Sequence, residues 1–288
     1  MSWRGWLAFA ALGIIWGVPY FFIRIAVQEI SPFVVAWSRL TLAALILLPI
    51  AWHRGALRPL RNHRGAVCAF AVVEFVVPFS AISFGERWIS SSITGILIAG
   101  VPLTIVLISR FFGVNERLGR RRIAGLALGL CGVVALVGFG PISGPLGWAG
   151  VGCMVLATIG YALGPLIIQR HLQGLDSIGP IAASLTLASA ILLLPALATF
   201  PDHWPSAVTL YSIAVLGVLC SAVALLLMFY LVRIAGASRA AIITYINPAV
   251  ATLLGVGLLH ESLGPGGIVA FIVILVGSFL ATHRPVTE

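Results

Sequence analysis

Charged side chains inside apolar runs are where this sequence could do chemistry. Glu74, in Val72-Val73-Glu74-Phe75-Val76, is the only carboxylate well inside such a run. A charge at that depth is costly in a membrane and marks a functional site unless a neighbour neutralises it. Glu74 suits two tasks, carrying a coupling proton or binding a substrate ammonium; the structural alternative is a fixed polar partner. Arg39 lies part-way into its own run, about 10 Å below the nearer surface at helical rise, and Glu74 about 18 Å. Their side chains can meet as an ion pair. Alternatively Arg39 receives a substrate carboxylate, or it snorkels back to the interface.

Aromatic residues recur beside these charges. Trp16, Tyr20, Phe79, Tyr161 and Tyr245 offer flat apolar surface for a cavity wall; packing or lipid contact is the alternative for each. Trp16 and Tyr20 are four apart and share a helix face. Pro19, between them, weakens the local backbone ladder. Pro165 stands at the matching place later in the chain, and Pro102 and Pro248 form a second matched pair. Such matched interruptions act as substrate-binding breaks or hinges, or else as static kinks satisfied by neighbours. Asn247, beside Pro248, has an amide for substrate or for freed backbone carbonyls.

Other chemistries lack their residues. The sequence has no lysine, which excludes a Walker A lysine and a lysine Schiff base in this chain. An ATP-driven pump would need a separate subunit, and none is expected. The six histidines fall in connections or at run ends, and none forms HExxH. Cys68, Cys131, Cys153 and Cys220 lie inside apolar runs at spacings that fit no metal site; buried packing is the expectation for them. No nucleophile–base pair stands at depth. The expectation is no enzyme, no metal and no cofactor.

The elements that must position these residues are membrane helices. The chain is 60% hydrophobic and 9% charged, with mean hydropathy +1.12, against about 25% charged in soluble domains. Such a chain cannot cover a soluble core. Its net charge of +9 is spread over short connections, not gathered on one face, so nucleic acid is not the expected partner. A crossing takes about 20 apolar residues. Runs at 6–27, 32–52, 65–86, 90–111, 121–140, 146–168, 178–199, 206–231, 238–259 and 264–282 meet that need. The expected class is all-α integral membrane, with ten transmembrane helices. Tryptophans Trp3, Trp6, Trp52, Trp88, Trp148 and Trp204 fall at run ends, as an interfacial belt requires. Arginines crowd the connections at 54–64 and 117–122, which places both termini in the cytoplasm.

The chain is also written twice. Pro102 and Pro248 lie 146 residues apart. Glu116 and Glu261, Leu118 and Leu263, Gly119 and Gly264, and Gly132 and Gly277 are each offset by 145. Leu40-Thr-Leu-Ala43 returns letter for letter as Leu185-Thr-Leu-Ala188. Residues 1–143 and 144–288 are therefore read as two halves of five helices each. Five is odd, so the second half enters the membrane from the opposite side and the repeats are inverted. This plan recurs in secondary transporters, with the site near the midplane. Glu116 and Glu261 are expected to cap the next helix or anchor a loop. Gly160 with Gly164, and Gly125 with Gly129, have the spacing for close helix contact.

A proline followed by Glu-x-Leu-Gly and then a glycine-bearing helix, in each of two five-helix halves, resembles the EamA family of the drug/metabolite transporter superfamily. Within it the chain is similar to YddG-type exporters of aromatic amino acids. The resemblance implies a basket of helices around a central cavity, with the fifth and tenth helices packed behind it. It implies alternating access and export of small metabolites across the inner membrane; the chain is expected to act as a monomer. Amino acids with aromatic or apolar side chains are the expected substrates. The alternative is a multidrug or lipophilic cation exporter, proton-coupled through Glu74.

Overall fold

Helix boundaries follow the capping residues and prolines of the sequence. The computed structural model describes residues 3–111, 119–139, 142, 144–235, 243 and 246–282. Seven helices are long and apolar enough to cross a membrane. They are α1 (Trp3–Ala26), α2 (Pro32–His53), α3 (Arg64–Gly85), α4 (Ser91–Ile108), α6 (Gly144–His171), α7 (Ile178–Ala198) and α8 (Ala207–Leu231). Three further helices, whose apolar stretches are shorter, complete the described chain: α5 (Arg120–Phe139), α9 (Asn247–Leu258) and α10 (Gly264–Thr282). Among the described residues there is no strand. Ser31, Ser90 and Ser206 cap α2, α4 and α8, each hydroxyl accepting from the amide three residues on.

The starts and ends of the runs agree with the helices to within a few residues, except the ninth. That run was expected from 238, and the described helix begins at Asn247. Residues 236–242, with 244 and Tyr245, lie outside the described residues, as does Glu116.

Proline and local strain break several helices. α1 is interrupted at Val18, and Pro19 opens its second piece, Pro19–Ala26. α4 is interrupted after Ile98, and Pro102 sits in the first turn of Val101–Phe111. Pro248 sits in the first turn of α9. The expected break at Pro165 is absent: α6 runs unbroken from Gly144 to His171. α3 and α8 each contain a π-helical stretch, Ala71–Val76 and Val215–Val223. The two stretches occupy matching places in the halves. Pro78 lies just past the first, where it lacks an amide and crowds the carbonyl of Glu74; the second forms without a proline.

The helix contacts come in mates. α5 packs on α10, α2 on α7, and α4 on α9. α3 packs on α6 as α8 packs on α1, and α2 meets α8 as α7 meets α3. The repeated tetrads lie in the α2–α7 contact, where Leu40, Ala43, Leu185 and Ala188 are fully buried and Thr41 Oγ1 bonds Ser189 Oγ at 2.6 Å. The α5–α10 contact is made by glycines: a Cβ on Gly277 would run into the backbone of Gly129 and Gly125, and one on Gly132 into Ile274.

One face of the molecule carries the α1–α2, α3–α4, α7–α8 and α9–α10 connections. There Glu29 reaches the start of α8, Arg24 reaches the end of α3, and Glu261 reaches the start of α4. The opposite face carries the α2–α3 and α6–α7 connections, where Gly179 lies against the carbonyl of Ala56.

Candidate functional site

A cavity of about 330 Å³ lies among the helices. It draws residues from α1, α2, α3, α4, α6, α7, α8 and α9, and none from α5 or α10. Of the residues singled out in the sequence, Trp16, Pro19, Tyr20, Arg39, Glu74, Phe79, Tyr161, Pro165, Asn247 and Pro248 line it. Pro102 does not; its neighbour Val101 does. Tyr245 falls outside the described residues.

Arg39 and Glu74 do not pair with each other. The Arg39 Nε donates to Ser221 Oγ at 2.8 Å, and its guanidinium carbon lies 4.2 Å from the centre of the Phe79 ring. A desolvated cation–π contact of this kind contributes about 2 kcal/mol. The Ser221 hydroxyl in turn donates to the carbonyl of Leu216, five residues back, at 2.8 Å. The π-helical stretch of α8 thus supplies the acceptor that orients Arg39. Arg39 is buried and its guanidinium is committed to Ser221 and the Phe79 ring, so it does not snorkel in this conformation.

Glu74 stands on the π-helical stretch of α3, where wider backbone turns present side chains that an α-helix would bury differently. Its Oε2 is buried and accepts no hydrogen bond among the described residues. The carboxylate rests over Gly164 of α6, where a Cβ would collide with it, and beside the ring of Phe70. Gly160, one turn earlier, lets α6 approach the carbonyl of Val73. The Gly160–Gly164 spacing therefore does what it was expected to do, and it also makes room for the carboxylate.

Asn247 turns its amide to the backbone. With the nitrogen facing two carbonyls, it donates to Ile243 and to Gly13, each at 3.0 Å. It ties the start of α9 to α1. Tyr20 and Tyr161 are nearly or partly buried in the wall, Phe79 packs edge-on to Phe75 at 5.8 Å, and Phe75 packs on Phe70 at 5.6 Å. The arrangement offers a cation, a carboxylate held apart from it, and an aromatic wall.

Ser221 and Phe75 line the cavity without having been singled out, and Cys220, expected only to pack, lines it too. A serine in an apolar run carries no signal of its own; the match of its π-helical stretch with that of Glu74 would have pointed to it. Cys220 is buried as expected, whereas Cys68 and Cys131 are exposed on their helices, because an apolar run in a membrane protein has an outer side as well as an inner one. The exposed tryptophans Trp3, Trp52, Trp148 and Trp204 stand at helix ends or just beyond them.

Two carboxylates tie the connections of the first face. Glu261 does not cap the helix that follows it. It accepts from the amides and hydroxyls of Ser91 and Ser92, at 2.6–2.9 Å, and so caps α4 of the other half. Glu29 accepts from the Ser206 amide at 2.6 Å and hydroxyl at 2.7 Å, and from the Thr209 hydroxyl, at the start of α8. These hydroxyls, Thr209 first, hold the Glu29 carboxyl below the usual carboxylate range.

The EamA-like transporter family model matches the chain twice, over residues 3–138 and 148–282. The uncharacterized inner membrane transporter YedA of Escherichia coli strain K12 is 30% identical over 97% of this chain and 93% of its own. Protein PagO of Salmonella typhimurium is 27% identical over 98% of this chain and 95% of its own. A solved crystal structure superposes with a TM-score of 0.68 at 20% identity, covering 98% of this chain and 97% of that one, so the fold is shared. On these matches the chain is a membrane transporter of the EamA-like family.

Proposed function

We propose that this transporter exports small metabolites across the inner membrane by alternating access, and that its substrates are amino acids with aromatic or apolar side chains. The observation that carries the reading is the separation of Arg39 from Glu74 across an aromatic cavity. A zwitterion needs one cation, one anion and a gap between them. Arg39 takes the substrate carboxylate, Glu74 its ammonium, and Trp16, Tyr20, Phe79 and Tyr161 the side chain. Apolar burial there contributes about 25 cal/mol per Å².

The same reading takes all ten helices as crossings, in inverted halves 1–143 and 144–288. The mated helix contacts and matched π-helical stretches support it. The arginine-rich connections put the termini and the α2–α3 connection in the cytoplasm, and the face tied by Glu29 and Glu261 outside. Pro19, Pro102 and Pro248 open helical pieces that move as the cavity changes sides.

The unpartnered Glu74 oxygen also favours a second reading, a lipophilic cation exporter. Competition in proteoliposomes separates the two. Phenylalanine and tryptophan should compete for transport at least about tenfold better than glycine or aspartate, a ~1.4 kcal/mol preference. Preference for a lipophilic cation over every amino acid would replace the substrate class.

A further inference from the structure

The first face holds a second buried carboxylate. Glu86 directly follows α3 and precedes exposed Arg87, yet it is fully buried. Neither of its carboxyl oxygens accepts a hydrogen bond among the described residues. Arg24 of α1 donates to the backbone carbonyl of Glu86 and not to its carboxylate.

The charges facing this carboxyl come from three elements. α1 brings Arg24 and Tyr20, α2 brings Arg39, and the α9–α10 connection brings Glu261. α6 packs Met154 and Cys153 against Gly85 and adds no charge. Glu261 is committed to Ser91 and Ser92. An ionised carboxylate with no hydrogen bonds is not tolerated in such a place. Burial, with Glu261 adding to it, holds the Glu86 carboxyl well above the usual carboxylate range, against the pull of Arg24 and Arg39. The helical piece Pro19–Ala26 connects this spot to the cavity, since its Arg24 holds the Glu86 carbonyl and its Tyr20 lines the wall.

We propose that Glu86 is a proton-binding site that sets the opening of the cavity on this face: it is protonated while the face is closed over it and releases its proton when the face opens. On opening, the carboxyl O–H breaks and the proton passes to an entering water. The electron pair stays on the carboxylate, which is then free to meet Arg24. The inference rests on the alternating-access reading and adds its regulation.

The sign follows from linkage. The closed state binds the proton more tightly, so the open population rises with pH between the two affinities, by up to about tenfold per pH unit. Below both affinities and above both, it is flat.

Cys220 lines the cavity and reports the opening. With Cys68, Cys131 and Cys153 replaced by Ala, an impermeant methanethiosulfonate is applied to right-side-out vesicles, and to inside-out vesicles as a second arm. The same protein carrying Glu86→Gln cancels the pH dependence of thiol chemistry. The ratio of labelling rates, Glu86 protein over Glu86→Gln, should climb with pH from the first face, by about tenfold per unit at its steepest. A flat ratio, with both proteins still labelled, overturns the role of Glu86. Cys220 is buried in this state, so its failure to label from either side at any pH, in vesicles that still transport, shows that this face does not open down to the cavity and overturns the proposal, whereas loss of transport itself would count against the alternating-access reading. Infrared titration of the Glu74→Gln protein serves if Glu86→Gln does not fold. A protonated carboxyl band at neutral pH, lost as Cys220 labelling rises, is expected; absence of that band overturns the proposal.

Discussion

At the scale of single residues, cost made the site legible. Arg39, Glu74 and Asn247 stood out because a polar group at membrane depth needs a reason, and all of them line one cavity. Partners were not legible. Arg39 was equally able to meet Glu74, and only the packing of α2 against α8 gives it Ser221 instead. Glu86 escaped notice because a glutamate at a helix end, next to an arginine, reads as interfacial. Gly164 was read as a packing residue, and its second task appeared only with the Glu74 carboxylate lying over it. That contact is testable. Gly164→Ala should destabilise the protein by about 1–3 kcal/mol, as overpacking does. Glu74→Ala in the same protein should recover much of the lost thermal stability, because it empties the space the new methyl needs. Simple addition of the two losses would show that the carboxylate does not sit there.

At the scale of elements, proline was a good guide to breaks and a poor guide to their form. Pro19, Pro102 and Pro248 each begin a helical piece, where a missing amide costs nothing. Pro165 was expected to break α6 and does not: the helix continues through it from Gly144 to His171, packed on α3 at Gly160 and Gly164. The π-helical stretches left no trace in apolar periodicity, since a buried run is hydrophobic on every side. Their effect is on aim: they turn Glu74 and Phe75 on one helix, and Cys220 and Ser221 on another, into the same space. If the helical pieces after Pro102 and Pro248 move during transport, Pro102→Ala and Pro248→Ala should each slow turnover by about tenfold, ~1.4 kcal/mol of barrier. Binding of tryptophan at equilibrium should change little. Unchanged turnover in both variants would mark the breaks as static.

At the scale of the whole molecule, repetition carried most of the architecture. The doubled grammar of the sequence is in keeping with the two matches to one family model and with helix contacts that come in mates. What it did not anticipate is how the halves are stitched at the first face, where Glu261 caps a helix of the other half. Membrane orientation is open to direct measurement. Single cysteines at Arg58 and Asp202, both exposed, are introduced into an otherwise cysteine-free protein and probed with an impermeant maleimide on intact cells. Asp202→Cys should label and Arg58→Cys should not; the reverse pattern would invert the molecule.

The seam between α5 and α10 has a different kind of consequence. It is built from glycines that admit no added carbon, and it contributes nothing to the cavity wall. The residues of this seam and those that meet the cargo are therefore different residues on different helices. Mutational tolerance should be distributed accordingly, strict along the seam and permissive along the wall. A lineage of such proteins can exchange one cargo for another through a handful of substitutions in α1, α2, α3, α6 and α8 while its frame stays as it was.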